Sequence, residues 1–302
     1  MNTRDLLGDD ETFRTIISGG TINEFEENDI TTLYNNGLLH GSCRINVLNF
    51  PNVTALFNSD PTYQSSFFYC TAKEIYFPNL KTANGGNMSF NNCSNLEKVD
   101  FPELTTLSGT AHINFTDCAK LEEINFPKLT TGTLFYYDNF KNMPKLRKIL
   151  IPKVTSLRKQ AFYASSSNYG TYHVTEVDIS SATSIEQQAF QSCRAINSIK
   201  CSNVKTLGNG VFSGCSSLTN LTFNQLTSIG ASCFSGCNSL ASIIIRTPSV
   251  CSLANTNAFT SAAKQIYVPD ELVDSYKEAT NWSTYASWIH PISELPEEEE
   301  TT

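Results

Sequence analysis

Cysteine is the residue type in this sequence with the most direct route to chemistry. The chain of 302 residues contains 10 cysteines, enough for a set of disulfide bonds or for a thiolate metal site. Zinc sites need paired ligands at short spacing, as in Cys-x-x-Cys. The closest pair here is Cys233 and Cys237. Six cysteines instead recur three residues after a phenylalanine: Cys70, Cys93, Cys118, Cys193, Cys215 and Cys237.

The position that these six cysteines share also accepts other side chains. Met143, Ser165 and Ala262 occupy it in other parts of the chain. A position with such mixed occupancy is a packing position, where a buried thiol behaves as a small hydrophobic group. The pattern therefore favours structural thiols, with a disulfide ladder and a metal site as the alternatives. We predict no metal and no cofactor.

The remaining candidates for catalysis are scattered. The four histidines have no acidic or nucleophilic partner at a recurring spacing: His40, His112, His173 and His290. The sequence lacks the Gly-x-Ser-x-Gly, His-Glu-x-x-His and Gly-x-x-x-x-Gly-Lys motifs. We therefore predict no catalytic residue and a protein that is not an enzyme. A hydrolase of surface glycans is a third functional class, because distant residues can assemble in space, but it would need clustered carboxylates.

The charge distribution argues against nucleic acid as a partner. The net charge is −8, and five of the carboxylates lie in the last nine residues. No basic patch is available to neutralise phosphates. No apolar run approaches the roughly 20 residues needed to span a bilayer, and the first residues lack a basic stretch followed by an apolar core. The sequence predicts no transmembrane segment, no membrane insertion and no signal peptide.

Internal repetition organises the whole chain. The columns of residues 211–223 recur 22 residues later in residues 233–245. A phenylalanine column runs through the units: Phe67, Phe90, Phe115, Phe140, Phe162, Phe190, Phe212, Phe234 and Phe259. Each unit also contains a three-residue strand, and the first apolar residues of these strands are Phe25, Leu48, Ile75, Val99, Ile124, Ile149, Val177, Ile199, Leu221, Ile243 and Ile266.

Stacking is the arrangement that lets such units bury their apolar columns. A single unit cannot cover its own strand, but identical columns from neighbouring units form one core and pair the strands in parallel. The predicted fold class is an α/β-type repeat solenoid, a leucine-rich-repeat stack with a short parallel β-strand per repeat. Mostly loops and short turns form the other face, and a C-terminal helix caps the stack. Prolines that cannot continue the pairing follow many of the strands: Pro51, Pro78, Pro102, Pro127, Pro152 and Pro269.

Four segments follow from this pattern. We assign residues 1–24 to an N-terminal cap or attachment segment, 25–265 to a solenoid of ten repeats, 266–293 to the last strand with the capping helix, and 294–302 to a disordered acidic tail. Residues 13–17 are expected to cover the first end of the stack. A helix with Asp270 as its N-cap is expected to cover the other end, together with residues at helical spacing: Trp282, Tyr285, Trp288 and Ile289.

Two groups of side chains are candidates for a binding surface. Longer units carry extra tyrosines, which supply contact area at little cost in side-chain entropy: Tyr63, Tyr136, Tyr137, Tyr163, Tyr169 and Tyr172. The alternative is that these tyrosines only cover the convex edge. The middle residues of the strands should face outward in one file: Tyr76, Asp100, Asn125, Asp178, Lys200, Thr222 and Tyr267. This mildly polar file fits a carbohydrate or a protein better than a polyanion.

The repeated columns resemble those of the BspA-like leucine-rich repeat family over roughly residues 13 to 290. The opening Phe13–Ile22 and the closing Ile266–Glu271 with Ala279–Trp282 are similar to the end segments of members from gut bacteria and their phages. The resemblance implies the solenoid fold and a surface, adhesion or virion-associated role. It implies no catalytic residues, because the family shares none.

The resemblance, together with the missing secretion signal, leads us to expect a virion-associated phage protein that decorates the particle or contacts the host surface. The alternative is a bacterial cell-surface adhesin of the same repeat class that binds protein or glycan. The expected partners are a host surface protein or glycan, or other virion proteins. The expected location is the virion, the extracellular space or the cell surface.

Overall fold

The structure is a computed structural model. It describes residues 24–26, 32–34, 46–57, 67, 69–84, 88–108, 113–130, 137–164, 173–260 and 265–296. For residues 24–26, 32–34, 55–57, 84, 88–89, 108 and 137–138 it describes the backbone alone. The predicted N-terminal cover at residues 13–17 and most of the predicted acidic tail lie outside these ranges.

Short parallel strands from successive repeats form the ladder that the sequence predicts. Their first apolar residues face one another in register, for example Leu48 opposite Ile75 and Ile124 opposite Ile149. The predicted solenoid with a short parallel strand per repeat is thereby confirmed. We call these strands the front ladder: Glu24–Glu26, Val47–Asn49, Glu74–Tyr76, Lys98–Asp100, Glu123–Asn125, Lys148–Leu150, Glu176–Asp178, Ser198–Lys200, Asn220–Phe223, Ser242–Ile245, Gln265–Val268 and Ile289–Pro291.

A second parallel ladder, absent from the sequence analysis, runs beside the front ladder. Its strands have two or three residues, too short to show a period in the sequence: Thr32–Tyr34, Ala55–Phe57, Thr82–Asn84, Thr106–Ser108, Ser156–Leu157, Ser184–Ile185, Thr206–Leu207, Ser228–Ile229 and Ser252–Leu253. Hydroxyl groups reinforce the stacking, since Thr227 Oγ1 donates to the carbonyl of Lys205 at 2.9 Å. Two shorter strands, Met88–Ser89 and Ile113–Asn114, also pair in parallel, and Tyr137–Phe140 is a 3-10 helix.

The core is built around two stacks of phenylalanine rings. The predicted phenylalanine column forms one stack from Phe67 to Phe259, with neighbouring ring centroids 4.9 Å apart at Phe67–Phe90 and 5.2 Å at Phe234–Phe259. A second stack joins the phenylalanines that directly follow four front strands: Phe50, Phe77, Phe101 and Phe126. Offset stacking of aromatic rings adds to the free energy gained by burying their area. Each repeat therefore contacts its neighbours through the same rings.

The C-terminal end of the stack is covered by the segment predicted to do so, with a different internal structure. The α-helix Val273–Glu278 follows a 3-10 turn, Asp270–Leu272. Trp282–Trp288 is a 3-10 helix interrupted at Tyr285, and Ile292–Glu294 is a further 3-10 turn. Three side chains at the predicted positions are buried against the last repeat: Trp282, Tyr285 and Ile289.

Two expectations for this segment are wrong. The Asp270 side chain makes no capping hydrogen bond to its own helix; its carboxylate accepts the backbone N–H of Ser293 at 3.1 Å. Hydrogen bonds from the side chain and then from the backbone N–H of Ser293 lower the pKa of the Asp270 carboxyl. Ile289 does not continue a helix but begins a front strand, where it lies opposite Ile266. The spacing of Ile289 from the preceding apolar residues fits either a helix or a strand. The unpaired edge of the front ladder offers backbone hydrogen bonds, which favour the strand.

Candidate functional site

The front face is the set of side chains at alternating positions of the front ladder, on the side of the strands opposite the inward residues. Register pairs and repeat positions place them in two parallel files. The first file contains Glu74, Lys98, Glu123, Lys148, Glu176, Ser198, Asn220, Ser242 and Gln265. The second file contains Asn49, Tyr76, Asp100, Asn125, Leu150, Asp178, Lys200, Thr222, Ile244, Tyr267 and His290.

The structure places four of the predicted binding residues in the second file. Tyr76 lies opposite Asp100, and Asp178 is separated from Asn125 by one strand. Asn125 is exposed, and the other three are half-buried. Leu150 occupies the strand between Asn125 and Asp178, and the sequence analysis missed this half-buried apolar residue because it expected a polar middle position. The four residues thus share one surface without forming a pocket of their own.

Charged side chains dominate the front face from Glu74 to Lys200, and many of them are paired within the chain. Lys148 Nζ lies 3.0 Å from Glu176 Oε2, and Lys200 Nζ lies 3.4 Å from Asp178 Oδ2. The hydrogen bond from Lys148 to Glu176 raises the pKa of Lys148. Solvent-exposed pairs of this kind contribute little to stability. Each pair neutralises its own two charges locally.

Tyr76 is the most constrained aromatic side chain of the charged part. Its hydroxyl donates to Glu74, and Lys98 Nζ lies 4.9 Å from the centroid of its ring. The hydrogen bond to Glu74 is the largest cause of a Tyr76 pKa raised to about 12. A tyrosine fixed by a carboxylate and an ammonium group is suited to packing against a ligand, and its phenol stays protonated at neutral pH.

The front face changes character beyond Lys200. The positions from Asn220 to Tyr267 carry amide, hydroxyl, aliphatic and aromatic side chains, without a charged group. Asn220 and Gln265 are exposed there. Tyr267 stands in the second file as expected, but it is covered there, since it is only 3% exposed, and Ile244 beside it is 2% exposed. The Tyr267 hydroxyl donates to Gln265 Oε1 at 2.7 Å, and its ring centroid lies 5.8 Å from that of His290.

Only one of the predicted tyrosines of the longer units, Tyr163, has a side chain among the described residues. Tyr63, Tyr136, Tyr169 and Tyr172 lie outside the described residues, as does the side chain of Tyr137. Tyr163 is half-buried in the turn after Phe162 and not in a front strand. A different tyrosine is exposed: Tyr69, at 48%, has a φ of 60° at a turn position where other repeats place asparagine, aspartate, serine or glycine. Sequence reasoning missed Tyr69 because it lies in no insertion.

The cysteine column has a structural role that explains its spacing. Five of its six thiols, from Cys93 to Cys237, donate to the carbonyl of the phenylalanine of the preceding repeat, as Cys118 does to Phe90 at 3.1 Å and Cys237 to Phe212 at 3.0 Å. Burial raises the pKa of Cys237 and of Cys201 to about 12. A thiol held neutral in this way is a poor nucleophile and a poor metal ligand. Within the described residues, histidine, cysteine, aspartate and glutamate form no group of three that could hold a metal ion.

No helix within the described part of the chain is both long enough and apolar enough to cross a membrane. The front face therefore offers hydrogen-bonding, aromatic and paired ionic groups on a rigid support. Such groups can recognise a macromolecular surface by complementary hydrogen bonds. Repeat proteins of this type generally present binding surfaces, and such repeats are typically non-enzymatic.

Comparison with solved structures gives relatives of low identity. A leucine-rich repeat protein from Bacteroides ovatus ATCC 8483 is 18% identical, with 91% of this chain and 85% of that chain covered and a TM-score of 0.40. A leucine rich cell surface protein from Faecalibacterium prausnitzii A2-165 is 16% identical, with coverages of 89% and 86% and a TM-score of 0.38. No curated protein matches the chain.

The sequence profile of the BspA type leucine rich repeat region matches this chain in 6 copies. The matches cover residues 39–169 and 167–280, which is most of the chain. They coincide with the repeats that stack their phenylalanines and thiols in the structure. The chain therefore belongs to the BspA-type leucine-rich repeat family.

Proposed function

We propose that the chain is a non-enzymatic binding module that recognises a macromolecular partner through its front face. One observation carries this proposal: polar side chains stand in register on strands whose inward residues are almost fully buried, as Ile75, Ile149 and Val177 are. A rigid support of this kind holds many weak contacts in place, so less side-chain entropy is lost on binding.

The chemistry of the face favours a partner that is read by hydrogen bonds. Two of the three lysines in its charged part are paired with carboxylates, Lys148 with Glu176 and Lys200 with Asp178. A strongly charged partner would have to break these pairs, whereas a protein surface or a neutral glycan can bind across them. The proposal therefore keeps both a protein and a glycan as partner classes.

Saturable binding to a target surface tests the proposal. The fluorescently labelled chain is incubated with intact gut bacteria, and retention is measured with and without an excess of unlabelled chain. We expect retention that saturates and is displaced by the unlabelled chain. Retention that is absent, or that rises linearly without displacement, would contradict a binding function on these surfaces.

For the setting, we propose a virion-associated protein, because the opening and closing segments of the sequence are similar to those of family members from gut bacteria and their phages. A bacterial cell-surface adhesin is the alternative, and membership of the family supports it equally. Quantitative mass spectrometry of density-purified phage particles and of protease-shaved bacteria from one culture separates the two. A fixed ratio of this chain to the major capsid protein supports the virion, and enrichment in the shaved fraction alone overturns it.

A further inference from the structure

The front ladder is interrupted at two places within the described residues. Strands pair in sequence as far as Lys98–Asp100, again from Glu123–Asn125 to Ser198–Lys200, and again from Asn220–Phe223 onward. No register pairs join Lys98–Asp100 to Glu123–Asn125, or Ser198–Lys200 to Asn220–Phe223, in this part of the chain. We call the second interruption the 200/220 cleft.

The same backbone hydrogen bond is missing at both interruptions. After five paired front strands, the N–H of the residue that follows the strand donates to the next strand, as Ile151 does to Asp178 at 2.9 Å and Ile179 to Lys200 at 3.0 Å. The equivalent N–H groups of Phe101 and Cys201 make no such bond to the described residues of the next strand. Backbone groups released from a sheet need water or a ligand as a partner.

The opening is confined to the front strands. Next to the 200/220 cleft, the N–H of Asn224 donates to Ser202 at 2.7 Å and that of Thr227 donates to Lys205 at 2.8 Å. On the far side of the core, the Cys215 thiol still reaches the Phe190 carbonyl at 3.1 Å. The two repeats are therefore in full contact around the cleft, which makes it a local feature of the front face.

Solvent reaches the core at both openings. The inward residue of a front strand is normally buried, at 0% for Val177 and 0% for Ile243. The residues just before the interruptions are the exceptions, since Val99 is 9% exposed and Ile199 is only partly buried. Two independent properties, strand pairing and burial, thus locate the same two openings.

We propose that the 200/220 cleft binds a neutral sugar unit of a glycan. The two strands that border it carry hydroxyl and amide side chains on the front face, Ser198, Asn220 and Thr222, and the inward Ile199 is only partly buried. Sugar hydroxyls both donate and accept hydrogen bonds, which matches these groups, while the C–H face of the ring suits the aliphatic side chain of Ile199.

The charges around the cleft select against an ionic ligand. Lys200, the one cation among the residues at its rim in the described chain, is paired with Asp178 at 3.4 Å. The first interruption has a different border, with Lys98, Asp100 and Glu123 on its two strands. These charges disfavour a neutral ligand. A bound sugar would displace water from the charged side chains without offering them an opposite charge in return. The proposal therefore applies to the 200/220 cleft alone.

The cleft itself is tested by hydrogen–deuterium exchange of the full chain, read at single amides. We expect the Cys201 amide to exchange at least about 10-fold faster than the Ile179 amide, which holds the equivalent position in a paired strand. Equal protection of the two amides would overturn the cleft, and with it the sugar site.

The ligand is tested by affinity electrophoresis in gels that contain soluble mannan, β-glucan or arabinogalactan, with polygalacturonate as the anionic comparison. We expect retardation by at least one neutral polysaccharide, weakened about 3- to 10-fold by Thr222→Val or Asn220→Ala, which each remove one hydrogen-bonding side chain. Thr206→Val changes an exposed threonine of the second ladder and serves as the matched control; it should bind as the parent chain does.

This inference rests on the proposed function. The results that would overturn the sugar site differ from those that would overturn the binding module. Retardation by polygalacturonate alone, or neutral binding that is equally strong in the Thr222→Val, Asn220→Ala and Thr206→Val chains, overturns the sugar site. If no polysaccharide retards the chain while intact cells still retain it, the sugar site is likewise overturned and the binding module stands.

Discussion

The indole Nε1 of Trp282 donates a hydrogen bond of 2.6 Å to the carbonyl oxygen of Cys251, in the last repeat before the C-terminal cap. The ring of Trp282 is buried and continues the phenylalanine stack, with its centroid 5.8 Å from that of Phe259. One side chain thereby closes the core and satisfies a backbone acceptor that would otherwise be buried alone.

Replacing Trp282 should destabilise the protein strongly. Trp282→Phe leaves the Cys251 carbonyl without its donor and opens a small cavity, for an expected loss of about 2–4 kcal/mol in the free energy of unfolding. Urea denaturation followed by circular dichroism measures the loss. Trp288→Phe is the control, because Trp288 is only partly buried, and it should cost less than about 1 kcal/mol. Equal losses for the two variants would show that the cap does not depend on Trp282.

The thiol column should behave as a set of hydrogen-bond donors. Cys215→Ala removes the bond from the thiol to the Phe190 carbonyl and leaves a small void, so we expect a loss of about 1–3 kcal/mol. Ser217→Ala, at an exposed position two residues away, should change the stability by less than about 0.5 kcal/mol. The idea fails if Cys215→Ala unfolds at the same urea concentration as the parent chain.

The buried thiols also set the response to alkaline pH. The pKa values of Cys201, Cys237 and Cys251 are raised to about 12 in the folded chain, because burial disfavours the thiolate. Unfolded cysteines ionise near pH 8.5. The folded state therefore keeps protons that the unfolded state loses, and stability falls as the pH rises from about 8.5 toward 12. Urea midpoints at pH 8 and pH 10 test this, and a midpoint that does not fall by pH 10 contradicts it.

Close approach between repeats fixes two glycines in consecutive turns. A Cβ atom on Gly230 would lie 2.4 Å from the carbonyl carbon of Gly208. Gly230→Ala must therefore push two backbones apart, and we expect a loss of about 1–3 kcal/mol or more. Gly236→Ala provides a comparison, since its Cβ would meet nothing nearer than 3.5 Å and only the positive φ of 74° is strained. A smaller loss for Gly230→Ala than for Gly236→Ala would argue against the close contact.

The sequence predicts the fold best where the same packing position recurs in many repeats. Phenylalanines such as Phe90 and Phe212 recur at one offset, and the structure stacks them in that order. The second ladder escapes prediction because strands such as Thr206–Leu207 are too short for a period. Asp270 is misassigned because an aspartate before a helix also accepts hydrogen bonds from distant groups, here the N–H of Ser293.

The candidate site is harder to read from the sequence than the fold. The alternation of each strand predicts that Tyr76 and Asn125 lie on one face, and the structure places them there. The alternation does not reveal that Tyr267 is buried or that pairing stops between Lys200 and Asn220. Both features depend on how one repeat packs against the next. The residue pattern within a single repeat does not encode this packing.

The most direct test of the binding proposal compares a variant altered on the front face, at Asn125 and Lys200, with a variant altered away from it, at the exposed Lys205. Lys200 lies on the front face and Lys205 lies beside the second ladder. We would measure displaceable retention by intact bacteria for the parent chain and for the Asn125→Ala/Lys200→Ala and Lys205→Ala chains. Loss of retention in the first variant, with parent-like retention in the second, is the predicted result. Equal retention of all three chains would contradict binding through the front face.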